Sequence, residues 1–315
     1  MTAKSTAPES AIAYAPATVA NVAAGFDIMG FAVRAPGDEV TARLAGPPGV
    51  RIASIDGDGG ALPREAQKNT AGVAALGLLS HVGSPAGVEI ELRKRMPLGS
   101  GLGSSAASAA AAAVAVNELL GRPLNREALL PFCMEAERTA CGAAHADNAA
   151  PALLGGFVLI RSCHPLDIVR IPVPEELACA VVHPHIEIRT EDARMILRNK
   201  ITMKEAITQW GNTAGLIAGL TTGDYDLIGR SLNDVVIEPV RAILIPGFHR
   251  VKEAAAGAGA LGCSISGSGP SIFALARGVE SARKAGGAMS DVYREMGVEC
   301  DLYVSEINRD GTVLE

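Results

Sequence analysis

Hydrophobic and polar residues alternate along several short stretches of this chain, which predicts β-strands that bury one face. The clearest stretches cover residues 40–44, 88–92 and 301–305. Strands of antiparallel sheets commonly show this pattern, whereas the strands of a parallel sheet between helix layers are apolar on both faces. The alternation therefore favours antiparallel sheet over a doubly wound parallel fold.

The strongest helical signal is an alanine-rich run that begins at Ser104 or Ser105 and ends near Leu120. Either serine can cap its first turn, and Gly121 and Pro123 stop it. Three further helices are predicted over residues 126–139 with Asn125 as the cap, from Thr190 onward, and over residues 247–258.

Pro165, Pro172 and Pro174 interrupt the middle of the chain. We place a domain boundary there, which separates an N-terminal domain of residues 1–172 from a C-terminal domain of residues 173–315. A length of 315 residues is sufficient for two domains of ordinary size. Strands and helices in this order predict an α+β fold with two lobes.

Composition narrows the class of protein. Hydrophobic residues make up 48% of the chain and charged residues 20%, as in globular proteins. The formal net charge of −6 argues against a nucleic-acid-binding face, and the longest apolar run, 106–116, is too short to span a bilayer. The N-terminus lacks the pattern of a secretory signal, and the six cysteines are scattered without a CxxC pair. We therefore expect reduced thiols, a cytoplasmic location, and no nucleic-acid or membrane partner.

The segment 97–107, Pro-Leu-Gly-Ser-Gly-Leu-Gly-Ser-Ser-Ala-Ala, has the features of a phosphate-binding loop. Gly99, Gly101 and Gly103 let the backbone turn tightly and approach a ligand closely. They lead into the N-terminus of the alanine-rich helix, where unpaired N–H groups and the helix dipole favour an anion. Ser104 and Ser105 add hydroxyl groups that can bond to a phosphate oxygen or a magnesium ion.

Other interpretations of this loop are weaker. A Walker A loop ends in Gly-Lys-Ser/Thr, and the segment contains no lysine. A dinucleotide-binding fingerprint is matched by Gly101, Gly103 and Ala106, but the preceding strand is half polar and no acidic residue ends a second strand about twenty residues later. A plain Gly/Ser turn before a packing helix is also compatible with the local composition.

Four segments, in order, resemble the motifs of the GHMP kinases. They are residues 15–30, the phosphate loop, residues 137–156 with the stretch His-Ala-Asp-Asn, and residues 262–271 with a second glycine-rich turn. The first and third segments are similar to those of the members that phosphorylate homoserine. The first segment lacks the lysine or arginine with a Gly-Glu-His element that galactose- and mevalonate-type members usually carry there. Two departures are Val22-Ala23-Ala24 in place of the common Leu-Gly-Pro, and Cys141 where serine is usual.

The resemblance implies a two-lobed fold with the active site in the cleft between the lobes. Its N-terminal lobe would be similar to domain 2 of ribosomal protein S5, with a left-handed β-α-β unit, and its C-terminal lobe would be ferredoxin-like. It also implies Mg²⁺- and ATP-dependent phosphorylation of L-homoserine to O-phospho-L-homoserine and ADP, in threonine biosynthesis, by a homodimer. The alternative is a family member that acts on another small alcohol or amino acid.

On the nucleotide side, the resemblance places adenine near Asn69 and magnesium between Ser105 and Glu137. Helical periodicity is consistent with this role, because Glu137 falls at the edge of an apolar stripe while Glu135 lies well outside it. The phosphates would contact the loop residues Pro97, Leu98, Gly99, Ser100, Gly101, Leu102, Gly103, Ser104 and Ser105.

On the amino-acid side, two arginines can clamp the substrate carboxylate with forked donors, and Asp27 can bind the ammonium group. The residues that the resemblance assigns to this side are Asn21, Asp27, His145, Thr190, Arg194, Arg241 and Gly267. His183 and His185 form a His-x-His pair without an evident third ligand, so we interpret them as part of a strand-end turn.

The resemblance also bears on catalysis. Asn148 stands where mevalonate- and galactose-type kinases have a catalytic aspartate, and an amide cannot act as a base. We therefore expect no dedicated base: Asn21 and Asn148 would orient the δ-hydroxyl, and Glu137 would act through magnesium. Asp147 is the alternative base, although the family pattern does not give it that role.

Overall fold

The computed structural model describes residues 8–142 and 144–315, without the side chains of residues 140 and 141. A seven-stranded sheet occupies the N-terminal half, in the order β11-β1-β2-β4-β3, with β5 also paired to β2 and β6 to β5. Its strands are β1 (Ser10–Ala20), β2 (Met29–Leu44), β3 (Gly49–Asp56), β4 (Gly87–Arg93), β5 (Phe157–Cys163), β6 (Leu166–Ile171) and β11 (Val313–Leu314). The predicted strands 40–44 and 88–92 are confirmed as parts of β2 and β4.

The pairings in this sheet are antiparallel except for β3 with β4. The helices of this half are α1 (Thr70–Val82), α2 (Ser104–Leu119), α3 (Leu130–Cys141) and α4 (Ala146–Leu154). Because α1 connects β3 to β4, these three elements form the β-α-β unit, and the phosphate loop follows directly after it.

Helix α2 is the centre of the N-terminal core. It contacts β1 and β2 on the sheet and α1, α3 and α4 on its other sides. Nearly all of its residues are buried, and most of them are alanine. A helix that is apolar all round is expected to be buried, and small side chains let neighbouring backbones approach closely.

The C-terminal half contains a four-stranded antiparallel sheet in the order β10-β7-β9-β8. Its elements are β7 (Leu177–Pro184), α5 (Thr190–Met195), α6 (Met203–Thr222), α7 (Tyr225–Ser231), α8 (Glu238–Arg241), α9 (Phe248–Gly257), β8 (Gly262–Ile265), β9 (Ile272–Arg277), α10 (Val279–Glu295) and β10 (Cys300–Glu306). Two β-α-β halves in series with this strand order form the ferredoxin-like lobe that was expected. The predicted strand 301–305 and the helices at Thr190 and 247–258 are confirmed as β10, α5 and α9.

The chain passes from the first sheet to the second between Ile171 and Leu177, and β11 then returns to pair with β1. The boundary at 172/173 stays a prediction, since the final strand belongs to the first sheet. The sequence pattern missed α1, α4, α6, α7, α8 and α10.

Within residues 8–142 and 144–315, no helix has the length and hydropathy needed to cross a bilayer. The cysteines whose side chains are described are free thiols: Cys133, Cys163, Cys179, Cys263 and Cys300.

Candidate active site

A cleft of about 450 Å³ is lined by residues of both lobes. It contains every site residue predicted from the sequence except Pro97, whose carbonyl instead accepts a hydrogen bond from Ser100 Oγ at 2.7 Å. The predicted residues in its lining are Asn21, Asp27, Asn69, Leu98, Gly99, Ser100, Gly101, Leu102, Gly103, Ser104, Ser105, Glu137, His145, Asn148, Thr190, Arg194, Arg241 and Gly267.

The phosphate loop is held by the second glycine-rich turn. Ser266 Oγ donates to the carbonyl of Gly101 at 2.7 Å. Gly101 has a φ of 77°, in the left-handed region. A Cβ atom at Gly101 would lie 2.4 Å from the carbonyl oxygen of Ser266. The two turns therefore approach too closely for any residue but glycine at this position.

The cap of α2 differs from the prediction. The N-cap position is Gly103, with a φ of 71°, and neither serine caps the helix with its side chain. Ser104 Oγ instead donates to Asp38 Oδ2 at 2.8 Å. Ser105 forms a hydrogen bond with Glu137. The two adjacent serines therefore face different partners, and Ser105 is the one next to the predicted magnesium ligand.

A buried ion pair lies beneath the start of α2, and the sequence did not predict it. The side chains of Lys94 and Asp38 are in contact and are 2% and 1% exposed. Lys94 Nζ also donates to the carbonyl of Ser104 at 2.9 Å and to Ser108 Oγ at 2.6 Å. Burial lowers the pKa of Lys94, and Asp38 opposes this shift. Lys94 lies in an Arg-Lys-Arg run, and such a run usually indicates an exposed charged segment. The run itself therefore does not distinguish the buried Lys94 from its exposed neighbours.

Glu137 points from α3 into the cleft and is buried, whereas Glu135 is exposed and pairs with Arg138 at 2.8 Å. The prediction from helical periodicity is thereby confirmed. Burial raises the pKa of Glu137 to about 7, and the hydrogen bond with Ser105 and the charge of Lys94 oppose the shift. A cation bound next to this carboxyl group would lower its pKa again and favour the ionised form.

The oxygen ligands available next to the phosphate loop fit magnesium. Mg²⁺ prefers oxygen and usually binds one or two protein ligands together with substrate phosphates and water. The Glu137 carboxylate and the Ser105 hydroxyl are such ligands. Among residues 8–142 and 144–315, no group of three or more His, Cys, Asp or Glu side chains is arranged to hold a metal by itself.

Charged groups of both lobes meet at the amino-acid side of the cleft. Arg194 donates to Asp27 through both Nη atoms, at 3.0 and 2.8 Å. Arg241 donates to the carbonyl of Gly267 at 3.1 Å and stacks over the ring of Phe26, 4.9 Å from its centroid. Phe26 was not predicted, and the ring orients the guanidinium group of Arg241. The arginines and the aspartate thus lie together, and Asp27 and Arg194 pair with each other.

His145 and Thr190 border this charged group. His145 Nδ1 lies 3.7 Å from Asp27 Oδ1. Burial lowers the pKa of His145, and nearby Arg194 and Arg241 act in the same direction while Asp27 opposes them. Thr190 Oγ1 lies 3.2 Å from Ser268 Oγ. The lowered pKa favours the neutral imidazole, which can serve as a hydrogen-bonding group for a polar ligand.

Asn21 organises the turn after β1. Its Nδ2 donates to the carbonyl of Gly267 at 2.7 Å, and its Oδ1 accepts from the N–H of Asp27 at 3.0 Å. Asn21, Val22 and Ala23 have φ values of 71°, 24° and 54°. Three successive positive φ values produce a sharp left-handed turn, which brings the amide of Asn21 into the cleft.

Asn148 and Asp147 are adjacent on α4 and differ in their surroundings. Asn148 Oδ1 accepts a hydrogen bond from Thr18 Oγ1 at 2.7 Å. Asp147 is 3% exposed, and its Oδ1 has no hydrogen-bond partner among the described residues. Burial raises the pKa of Asp147 to about 7, and Asp27 and Glu137 add to the shift.

Asn69 and the two histidines of the His-x-His pair have evident structural partners. Asn69 caps α1, since its Oδ1 accepts from the N–H of Ala71 at 3.1 Å. His183 Nδ1 lies 3.2 Å from Ser271 Oγ, and His185 Nε2 lies 3.0 Å from Asp301 Oδ2. Adenine contact by Asn69 stays a prediction.

Comparison with known proteins supports a kinase active site in this cleft. The model of the GHMP kinases N terminal domain matches residues 69–156, and that of GHMP kinases C terminal matches residues 216–295. Together with the cleft and its phosphate loop, these matches define a small-molecule kinase, and the chain belongs to the GHMP kinase family. The family and fold expected from the four motifs are confirmed.

Within this family, the chain is similar to homoserine kinases. Homoserine kinase of Chlorobium phaeovibrioides is 55% identical over 311 residues, which cover 95% of this chain and 97% of the relative. The crystal structure of homoserine kinase from Cytophaga hutchinsonii is 55% identical, covers 98% of each chain and has a TM-score of 0.96. L. major mevalonate kinase in complex with R-mevalonate shares the fold alone, with 16% identity, a TM-score of 0.71 and coverage of 93% of this chain and 95% of that chain.

Proposed function

We propose that the chain transfers the γ-phosphoryl group of ATP to the hydroxyl of L-homoserine, giving O-phospho-L-homoserine and ADP. The observation that carries this proposal is one cleft that contains both a phosphate loop at a helix N-terminus and a cluster of groups complementary to an amino acid. The homoserine kinases at 55% identity over nearly the full length support the same substrate.

The phosphate loop supplies binding and position. Backbone N–H groups at the start of α2 point toward an anion, and the helix dipole adds to their attraction. The loop is stiffened by its contacts with the second glycine-rich turn and by the Lys94–Asp38 pair beneath it. Such rigidity is useful because phosphoryl transfer depends mainly on positioning and charge neutralisation.

Magnesium would be held by Glu137 and Ser105. When bound with ATP, the ion neutralises negative charge on the phosphates. Glu137 serves this role because its carboxyl group is buried next to the loop. Ser105 is preferred to Ser104 as a ligand, because Ser105 hydrogen-bonds with Glu137 whereas the Ser104 hydroxyl donates to Asp38.

The amino-acid groups determine which alcohol is accepted. Arg194 and Arg241 provide forked donors for the substrate carboxylate, and Asp27 provides an acceptor for the ammonium group. Asp27 and Arg194 already pair with each other. The substrate would insert between them, with its ammonium group at Asp27 and its carboxylate at Arg194. His145, Thr190 and Gly267 complete the polar lining.

The hydroxyl would be oriented rather than deprotonated by a strong base. Asn21 and Asn148 lie in the cleft and carry amides, which do not accept a proton at pH 7. The hydroxyl oxygen forms the new bond to phosphorus, the bond from phosphorus to the β-phosphate oxygen breaks, and the proton passes to a γ-phosphate oxygen or to water. Transition states of this kind are loose, so early proton removal contributes little.

A coupled ADP-release assay tests the substrate. Purified protein is given Mg-ATP with homoserine, serine, threonine, mevalonate or galactose in turn. We expect turnover with homoserine alone. Turnover with another alcohol and none with homoserine would overturn the amino-acid assignment and leave the phosphate loop unaffected.

A pair of variants on one helix tests the magnesium assignment. Glu137→Gln should lower kcat by at least about 100-fold, since a transition-state charge is left less well neutralised. Glu135→Gln, two residues away and exposed, is the matched control and should retain wild-type kcat. Equal activity of the two variants would exclude Glu137 as a magnesium ligand.

A homodimer and a cytoplasmic location stay predictions. Light scattering of the purified protein measures the first, and cell fractionation measures the second.

A further inference from the structure

Thr18, on β1, connects the phosphate loop to Asn148 on α4, although Thr18 itself does not line the cleft. Its side chain is 0% exposed. Its N–H donates to the carbonyl of Leu102 in the phosphate loop at 2.9 Å. Its hydroxyl donates to Asn148 Oδ1 on α4 at 2.7 Å.

The hydroxyl of Thr18 donates to the oxygen end of the Asn148 amide. An amide has an oxygen that accepts and an NH₂ group that donates. Because the oxygen of Asn148 is occupied by Thr18, the NH₂ group is the end left for a ligand in the cleft. The NH₂ group of Asn148 can then donate to a lone pair of the substrate hydroxyl. The hydrogen of that hydroxyl stays available for another acceptor.

Thr18 and Asn148 are tightly packed against Gly103. A Cβ atom at Gly103 would lie 2.0 Å from Thr18 Oγ1 and 2.8 Å from Asn148 Oδ1. The threonine–asparagine hydrogen bond thus lies directly against the last glycine of the phosphate loop. The position of the loop and the orientation of the amide are therefore set by one contact.

We propose that Thr18 is a positioning residue for phosphoryl transfer, which holds the Asn148 amide with its NH₂ group toward the acceptor hydroxyl. This inference rests on the proposed function, because it assumes that Asn148 contacts the substrate hydroxyl. A merely structural threonine would affect folding, whereas a positioning residue affects kcat through Asn148.

The test is a double-mutant cycle on kcat with Thr18→Val and Asn148→Ala, measured on the folded protein. Valine keeps the shape of threonine and removes the hydroxyl. Thr312→Val is the matched control, because Thr312 is equally buried and its hydroxyl donates to α4 as well, at the carbonyl of Ala152. Thr18→Ser keeps the hydroxyl and is the rescue variant.

We expect Thr18→Val to lower kcat by at least about 10-fold, with KM for ATP within about 2-fold of wild type. Thr18→Ser should recover most of the activity, and Thr312→Val should retain it. In the Asn148→Ala background, Thr18→Val should cause no further loss, since both changes remove one interaction. Losses that multiply, or a Thr18→Val enzyme as active as Thr312→Val, would overturn the inference.

Failure of the proposed function gives a different result. If wild-type protein phosphorylates another alcohol, the homoserine assignment is wrong, and the same cycle on that alcohol decides the role of Thr18. The side-chain amide NMR signals of Asn148, identified by their loss in Asn148→Ala, provide a readout independent of turnover. They should shift in Thr18→Val and stay in place in Thr312→Val, and unshifted signals in Thr18→Val would contradict the inference.

Discussion

Replacing Lys94 by methionine should destabilise the protein more than any other lysine replacement in the cleft. Methionine retains the apolar stem and removes the ammonium group. The change leaves Asp38 buried without its cation, and it removes the donors to the Ser104 carbonyl and to Ser108 Oγ. Breaking a buried ion pair from one side typically costs about 3–5 kcal/mol, because the remaining charge stays desolvated.

The surroundings of Asp38 place the expected loss at the lower end of that range. Asp38 keeps hydrogen bonds from the N–H of Arg95 at 2.9 Å, the N–H of Met96 at 3.3 Å and Ser104 Oγ at 2.8 Å. These donors continue to stabilise the carboxylate, so we expect the free energy of unfolding to fall by about 3 kcal/mol. The start of α2 should also shift, which raises KM for ATP.

Urea denaturation of the unliganded protein measures this difference. Lys68→Met is the matched control, since Lys68 also lines the cleft but pairs with Glu65 at the surface, where their side chains are 67% and 66% exposed. Exposed pairs contribute at most about 1 kcal/mol, so this control should stay close to wild type. A loss below about 1 kcal/mol in Lys94→Met, or equal losses in the two variants, would refute the role given to the buried pair.

Three other predictions follow from contacts within the cleft. Gly103→Ala should lower kcat/KM by at least about 100-fold, because the added Cβ atom would lie 2.0 Å from Thr18 Oγ1. Gly121→Ala is the control and should not affect turnover, because Gly121 has a similar φ of 77° and nothing lies near its Cβ position. Arg241→Lys should raise KM for homoserine by at least about 10-fold at unchanged KM for ATP, since lysine lacks the forked and stacked contacts of arginine, and unchanged homoserine kinetics would contradict this. Burial raises the pKa of Asp147 from 3.8 to about 7, so the folded state binds more protons between these values and its stability falls as pH rises through them. Compared with Asp147→Asn, wild-type protein should lose up to about 4 kcal/mol of stability between pH 4 and 8, and parallel pH profiles in urea denaturation would exclude the shift.

Helical and strand periodicity predicted elements in which apolar residues recur on the buried face. Glu137 is an example, because its place at the edge of an apolar stripe distinguished it from Glu135 before any contact was known. The same reasoning missed α6, which buries four of its twenty residues and so gives little contrast between its faces. It also missed α10, although the buried residues of that helix recur at helical spacing from Ala282 to Tyr293. It also placed the cap of α2 at a serine, whereas a left-handed glycine took that position.

The sequence by itself contained the residues on which the proposed chemistry depends: a glycine-rich loop before a helix, a glutamate on the next helix, and arginines with an aspartate that suit a charged substrate. These features depend on residue type and local spacing, which the sequence contains. Only the tertiary structure decided that Ser104 faces Asp38, that Lys94 is buried, that Phe26 lies under Arg241, and that Thr18 holds Asn148. Each of these contacts joins residues from separate elements, such as β1 with α4, and their partners are set by packing rather than by neighbours in the chain.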